Sequence, residues 1–163
     1  MGMNFEHGGY TGGLLEKETL GSLPRLEKEG VYVPFHRAME WAEEHQFGDP
    51  TDPDPRFAND LHATVAEKLG IEDLRRIKFF TAVGSSLDFY HGIDAFFKIE
   101  QAGKEIVVTL DVTMNPNKGE NYKADVVFYI SAEGLDPRDD REKYLEKINE
   151  VAEMIVDKIR SAA

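Results

Sequence analysis

Hydrophobic positions along the chain change period twice. Up to about residue 76 they recur every three or four residues, as on a buried helix face. From Ile77 to Ile130 they alternate, as on strands, and from about Arg138 to Arg160 helical spacing returns. Pro34 opens a helix carrying Phe35, Ala38, Met39 and Ala42, and Gly48 is a natural stop. A second helix starts with Asp54 as N-cap and Pro55 at its first position. Phe57, Leu61, Val65 and Leu69 are its apolar stripe, and Gly70 ends it. The connector from Asp49 to Pro55 is acidic and proline-rich, and without EF-hand spacing it reads as linker and cap, not as a calcium loop. Residues 4–30 are glycine-rich and read as an extended arm with one short helix near Leu14–Leu20. The expected organisation is therefore an N-terminal arm, 1–30, and a single domain, 31–163.

The alternating stretch predicts a strand at Ile77–Val83, a turn at Gly84-Ser85-Ser86, and strands at Ile93–Glu100, Glu105–Met114 and Ala124–Ile130. The last helix presents Leu145, Ile148, Val151, Ala152, Ile155 and Ile159 on one face. This order predicts the α+β class: N-terminal helices, an antiparallel meander sheet, and a long C-terminal helix over the sheet's apolar face.

Register within the meander carries the first chemical expectation. Gln101-Ala102-Gly103-Lys104 is a tight connection with glycine where a hairpin turn needs it. A two-residue loop pairs Gln101 with Lys104, and a four-residue loop pairs Glu100 with Glu105. Carried along the strands, both place Asp94 directly opposite Asp111, with Cβ atoms roughly 5 Å apart. Like charges in that position destabilise a sheet unless the site is wet, one group holds a proton, or a cation lies between them. Hard cations such as Mg²⁺ or Mn²⁺ accept carboxylate oxygens, so the pair is a candidate half-site. The alternative is the solvated face of an amphipathic hairpin, since Lys98 and Glu100 share the same side. If the third alternating run continues the meander, one register sets Asp125 beside Asp111 and Lys123 beside the carboxylates. Lys118, in the preceding loop, is within reach as well. A lysine there can orient or deprotonate water or stabilise charge on a phosphate.

At these residues the sequence resembles the PD-(D/E)XK nuclease superfamily. The matching stretches are Gly92-Ile93-Asp94-Ala95-Phe96-Phe97 and Val108-Thr109-Leu110-Asp111-Val112-Thr113, flanked by Ser85-Ser86-Leu87-Asp88 and Lys123-Ala124-Asp125-Val126-Val127. The resemblance covers residues 55–130. It implies that Asp94, and Asp111 as the acid of the Asp/Glu-x-Lys motif, bind Mg²⁺ and activate water for phosphodiester cleavage. Thr113 stands where that motif has lysine, so the lysine's role passes to Lys118 or Lys123. The resemblance also implies an upstream helical glutamate as a further ligand, with Glu67 as the candidate. The helix which that family places between its third and fourth core strands has too few residues here, between 115 and 122.

Composition narrows the alternatives. The 163 residues carry 19 basic and 31 acidic side chains, a formal charge of −12, spread along the chain with no basic tail. Binding that coats nucleic acid through charge alone is thereby disfavoured. There is no cysteine, which excludes a disulfide scaffold, a thiolate metal site and a cysteine nucleophile, and fits a reducing compartment. No apolar run approaches the ~20 residues a membrane-spanning helix needs. The five histidines form no HExxH-type ligand pair. The expectation is a cytoplasmic, metal-dependent nuclease-like hydrolase acting on nucleic acid, without a membrane partner. The alternative is a non-catalytic module of the same or another α+β fold that binds a protein partner or a second copy of itself.

Overall fold

The structure, a computed structural model, describes residues 12–23, 31–115, 123–131 and 133–162. Helices α1 (Gly12–Leu20), α2 (Phe35–Glu44) and α3 (Arg56–Leu69) come first, followed by a 3₁₀ turn at Leu74–Arg76. Strand β1 (Ile77–Thr81), the short helix α4 (Ser86–His91), and strands β2 (Ala95–Gln101), β3 (Lys104–Thr113) and β4 (Val126–Tyr129) follow, and α5 (Arg141–Ala162) closes the order. The protein is an α+β domain around one four-stranded mixed sheet, in the order β1-β2-β3-β4.

The hairpin register is the one the sequence predicts. Gln101 pairs with Lys104 and Ala95 with Leu110. Ala102 (φ 53°) and Gly103 (φ 76°) are both left-handed, as the favoured two-residue hairpin turn requires. The expected meander breaks at its last strand. β4 runs parallel to β3, with Leu110 beside Val126 and Thr113 beside Tyr129. A parallel neighbour needs a crossover of about a dozen residues, and the stretch from Met114 to Asp125 supplies that length. The chain thus leaves at the C-terminal end of β3 and re-enters beside its middle.

Helices cover both faces of the sheet. On one face Phe97, Ile99, Val108, Leu110, Val112, Val126 and Phe128 meet α3, α5 and the apolar side of α1. Leu15 and Leu20 of α1 are buried in this core, so the first described helix packs with the domain. The Tyr144 hydroxyl on α5 donates to Asp60 Oδ2 on α3 at 2.6 Å, clamping the two helices. Leu145, expected on the buried stripe, is 41% exposed; the stripe of α5 begins at Tyr144, one position earlier, and passes through Ile148, Val151 and Ile155. On the other face Phe80, Phe96 and Ile93 meet Ala38, Met39 and Ala42 of α2 and Leu87 of α4. No described helix is long and apolar enough to cross a membrane.

The solvated-face alternative fails at this second covering. Asp94, Phe96, Thr109 and Asp111 are buried beneath it, and only the hairpin end, with Glu100 and Glu105, is open to solvent. Lys98 marks the border: its Nζ lies 2.7 Å from Glu43 on α2 and 3.7 Å from Glu105.

Candidate functional site

Asp94 lies one residue ahead of β2, and strand pairing continues through it. Its N–H donates to Leu110 O at 2.9 Å, and its carbonyl accepts from Ala82 N at 2.7 Å. The main chain is thus fixed between the end of β1 and the middle of β3. This carries the hairpin register one step further and sets Asp94 opposite Asp111. The Asp94 side chain is 1% exposed and that of Asp111 6%. Asp94 Oδ2 accepts from Val112 N at 2.9 Å, and the two carboxyl groups hydrogen-bond each other.

A hydrogen bond between two carboxyls needs a proton. Burial pushes the Asp94 carboxyl far above the usual carboxylate range, and the bond from Asp111 and the nearby charges of Glu16, Asp111 and Asp88 push it the same way. All the charged groups that shift Asp94 are acidic. Without a cation, these influences all favour a proton held on the pair over two adjacent charges.

Two more acids complete the cluster. Carboxylate oxygens of Glu16, Asp88 and Asp94 lie within 4.8 Å of one another. Asp88 is placed by α4, a six-residue helix held at both ends. The Ser85 hydroxyl accepts from Leu87 N at 3.2 Å, and Asp88 Oδ2 accepts from Gly84 N at 3.1 Å, a capping-box-like exchange. At the other end Gly92 is left-handed (φ 67°), and its N–H donates to Asp88 O at 3.1 Å. Glu16 arrives from α1. That helix ends at Gly21, and Leu23 N then donates to Val83 O at 2.8 Å, lashing the segment across the end of β1. Gly84 permits the approach: it is left-handed, and a Cβ there would sit 3.2 Å from Leu23 O.

Glu16 and Asp88 are half-buried, whereas Asp94 is enclosed. Buried acids below and half-open acids above suit a hard cation that keeps part of its water shell. A cation there would be held by Glu16, Asp88 and Asp94, with Asp111 behind Asp94.

The other residues singled out by the sequence sit elsewhere. Glu67 is exposed on α3 and is not among the acids gathered at Asp94. Lys123 is exposed ahead of β4. The parallel register sets it back along β3, about level with Val107, roughly 13 Å of strand from Asp111. Lys118 lies outside the described residues. Asp125 does not face Asp111, whose β4 neighbour is Val127. It is tied to Thr109 instead, accepting from Thr109 N at 3.0 Å while its own N–H donates to Thr109 Oγ1 at 2.8 Å. Thr113, in the motif position of lysine, is buried, and its hydroxyl accepts from Asn115 N at 3.0 Å.

Sequence reasoning missed two of the four acids. Asp88 carried a local signal, the Ser-x-x-Asp spacing from Ser85, which marks a helix start. Glu16 carried only the neighbouring Leu15 and Leu20, which predict a buried helix and not its destination. No family model, no curated protein and no solved structure matches the chain.

Proposed function

We propose that this chain is a divalent-cation-dependent, nuclease-like domain that hydrolyses nucleic-acid phosphodiesters. The observation that carries the reading is the convergence of Glu16, Asp88 and Asp94 on one partly open point, with Asp111 beside Asp94 on the neighbouring strand. The reading draws further support from the resemblance to the PD-(D/E)XK superfamily at Asp94 and Asp111. It also draws on the upstream helical glutamate which that resemblance calls for, a part that suits Glu16 better than Glu67. Bound there, Mg²⁺ or Mn²⁺ supplies a Lewis acid that lowers the pKa of water and neutralises charge on a phosphate. The chain's own part is to hold the cation through these carboxylates and to give up the proton shared by Asp94 and Asp111 as it binds. The Val112 N–H, bonded to Asp94 Oδ2, keeps that carboxylate in one orientation.

A second reading has its own observation. The buried, hydrogen-bonded Thr113 leaves no lysine in the motif position, which favours a non-catalytic module of the same architecture. Incubation of single- and double-stranded DNA and RNA with Mg²⁺ or Mn²⁺ separates the two. The enzyme reading expects cleavage that EDTA abolishes and that is lost in Asp94→Ala and Asp111→Ala. It expects a loss of ~10²–10⁴-fold in one of Lys118→Ala and Lys123→Ala, as for a positioned proton-transfer group. Given its distance along the strand, Lys123 is expected to be the silent one. No cleavage of any substrate with either ion decides for the non-catalytic module.

A further inference from the structure

The two edges of the sheet are finished differently. Along β1 most of the outward main-chain groups are occupied. Phe79 N donates to Pro50 O at 2.8 Å, and Ile77 O is bonded by His62 Nε2 at 2.9 Å. The Gln46 side-chain amide imitates a neighbouring strand: its Oε1 accepts from Thr81 N at 3.1 Å and its Nε2 donates to Thr81 O at 2.8 Å. No further strand can add there.

Among the described residues β4 has no such finish. Ile130 N donates to Thr113 O, so by alternation Val126, Phe128 and Ile130 turn their main-chain groups toward β3. Val127 and Tyr129 turn theirs outward, and among the described residues these groups make no hydrogen bond. The strand reads Val-Val-Phe-Tyr, with neither a charge nor a proline to blunt it. Lys123 precedes it and Glu133 follows it, both exposed.

We propose that β4 pairs antiparallel with β4 of a second copy of this chain, joining two four-stranded sheets into one of eight. One register uses every open group: Val127 opposite Tyr129 of the second copy and the reverse, with the two-fold axis at Phe128. It makes four main-chain hydrogen bonds, while a shift of two residues either way leaves one outward residue without a strand partner. Continued past the strand ends, the same register sets Lys123 of each copy level with Glu133 of the other, two pairs of opposite charge. The formal charge of −12 opposes self-association. The uncharged Val126–Tyr129 edge is where that opposition is weakest. The pairing is independent of the acid cluster and of any catalytic reading.

Sedimentation equilibrium of the full chain over a wide concentration range tests this. A concentration-dependent dimer is expected. Val127→Pro removes an outward N–H and leaves the β3–β4 ladder intact, since proline is tolerated on an edge with its nitrogen facing out. It should abolish the dimer while melting near the parent temperature. Lys123→Glu should weaken the dimer, and Lys123→Glu with Glu133→Lys should restore it, a test that does not depend on how Val127→Pro folds. A monomer up to the millimolar range overturns the proposal. So does a dimer unaffected by both folded Val127→Pro and the single charge reversal.

Discussion

Under α3 and α5 the sheet presents Phe97, Ile99, Val108, Leu110, Val112 and Phe128, an unbroken apolar surface. Under α2 and α4 it presents Phe80 and Phe96 interleaved with Asp94, Thr109, Asp111 and Thr113, and these four polar side chains are buried as well. The first face needs nothing beyond the transfer of hydrocarbon out of water, worth about 1.5–3 kcal/mol for each large side chain. The second takes two adjacent carboxyls out of water, which costs free energy unless they are protonated or hold a cation. A domain selected for stability alone would build both faces like the first. The difference is what the proposed cation site would account for.

Substitutions on each face should sharpen that contrast, the apolar one having the largest effect on stability. Phe97→Ala is expected to cost about 3–5 kcal/mol, because it opens a cavity among fully buried neighbours. Chemical denaturation should register the loss, and any response to Mg²⁺ should persist in the fraction that stays folded. Loss of that response would mean that the faces are not separable.

On the acidic face the two aspartates should behave differently. Asp94→Ala deprives the buried Val112 N–H of its acceptor and is expected to cost about 1–3 kcal/mol without metal. Asp111→Asn keeps a hydrogen-bonding partner for Asp94 and removes the like charge, so the metal-free protein should be unchanged or stabilised by up to about 1 kcal/mol. Equal destabilisation by both, measured by urea unfolding in EDTA, would count against a strained acid pair.

The same pair also predicts a pH slope. The carboxyl of Asp94 is raised from an ordinary value of 3.8, so the folded state keeps a proton that the unfolded chain has released. Its stabilising contribution is fully present below that ordinary value and is lost as pH rises toward the folded pKa. His62 acts oppositely: burial lowers its pKa from 6.5, so it destabilises the fold in acid and is silent above neutrality. Between pH 7 and 9 (a window chosen from these two directions), stability in EDTA should fall by up to about 1.4 kcal/mol per unit. Asp94→Asn should flatten that slope, and an equal slope in the variant would remove Asp94 as its source.

The parts of this site that were legible in the sequence are those fixed locally. Ala102-Gly103 sets the hairpin, and the period of two carries its register to Asp94 and Asp111 without any tertiary information. Alternation could not tell whether that face was wet, because its cover, α2 and α4, packs through residues distant in the chain. Lys98 and Glu100 do belong to a polar surface, but the surface ends where Phe96 begins. The direction of β4 was not legible either, since a stretch long enough to wander is also long enough to cross over. Glu16 reaches the cluster through the packing of Leu15 and Leu20 and the pairing of Leu23 with Val83 across the end of β1, contacts with no local signature. Apart from Leu145 on α5, whose stripe begins one position earlier at Tyr144, these failures concern packing partners and not an element's own period.

The claim that the second face holds a cation is tested most directly by the melting temperature in Mg²⁺ or Mn²⁺. The parent chain is compared with Asp111→Asn and Glu16→Gln. A ion that binds only the folded state stabilises it by about 2.7 kcal/mol at a hundred times its dissociation constant. The parent should therefore melt progressively higher as either ion is added, and EDTA should reverse the gain. Asp111→Asn should lose the response, and Glu16→Gln should need more ion for the same shift. A parent that ignores both ions, beside an Asp111→Asn variant that is more stable in EDTA, would contradict the account and leave the acids as a proton-sharing pair without a ligand.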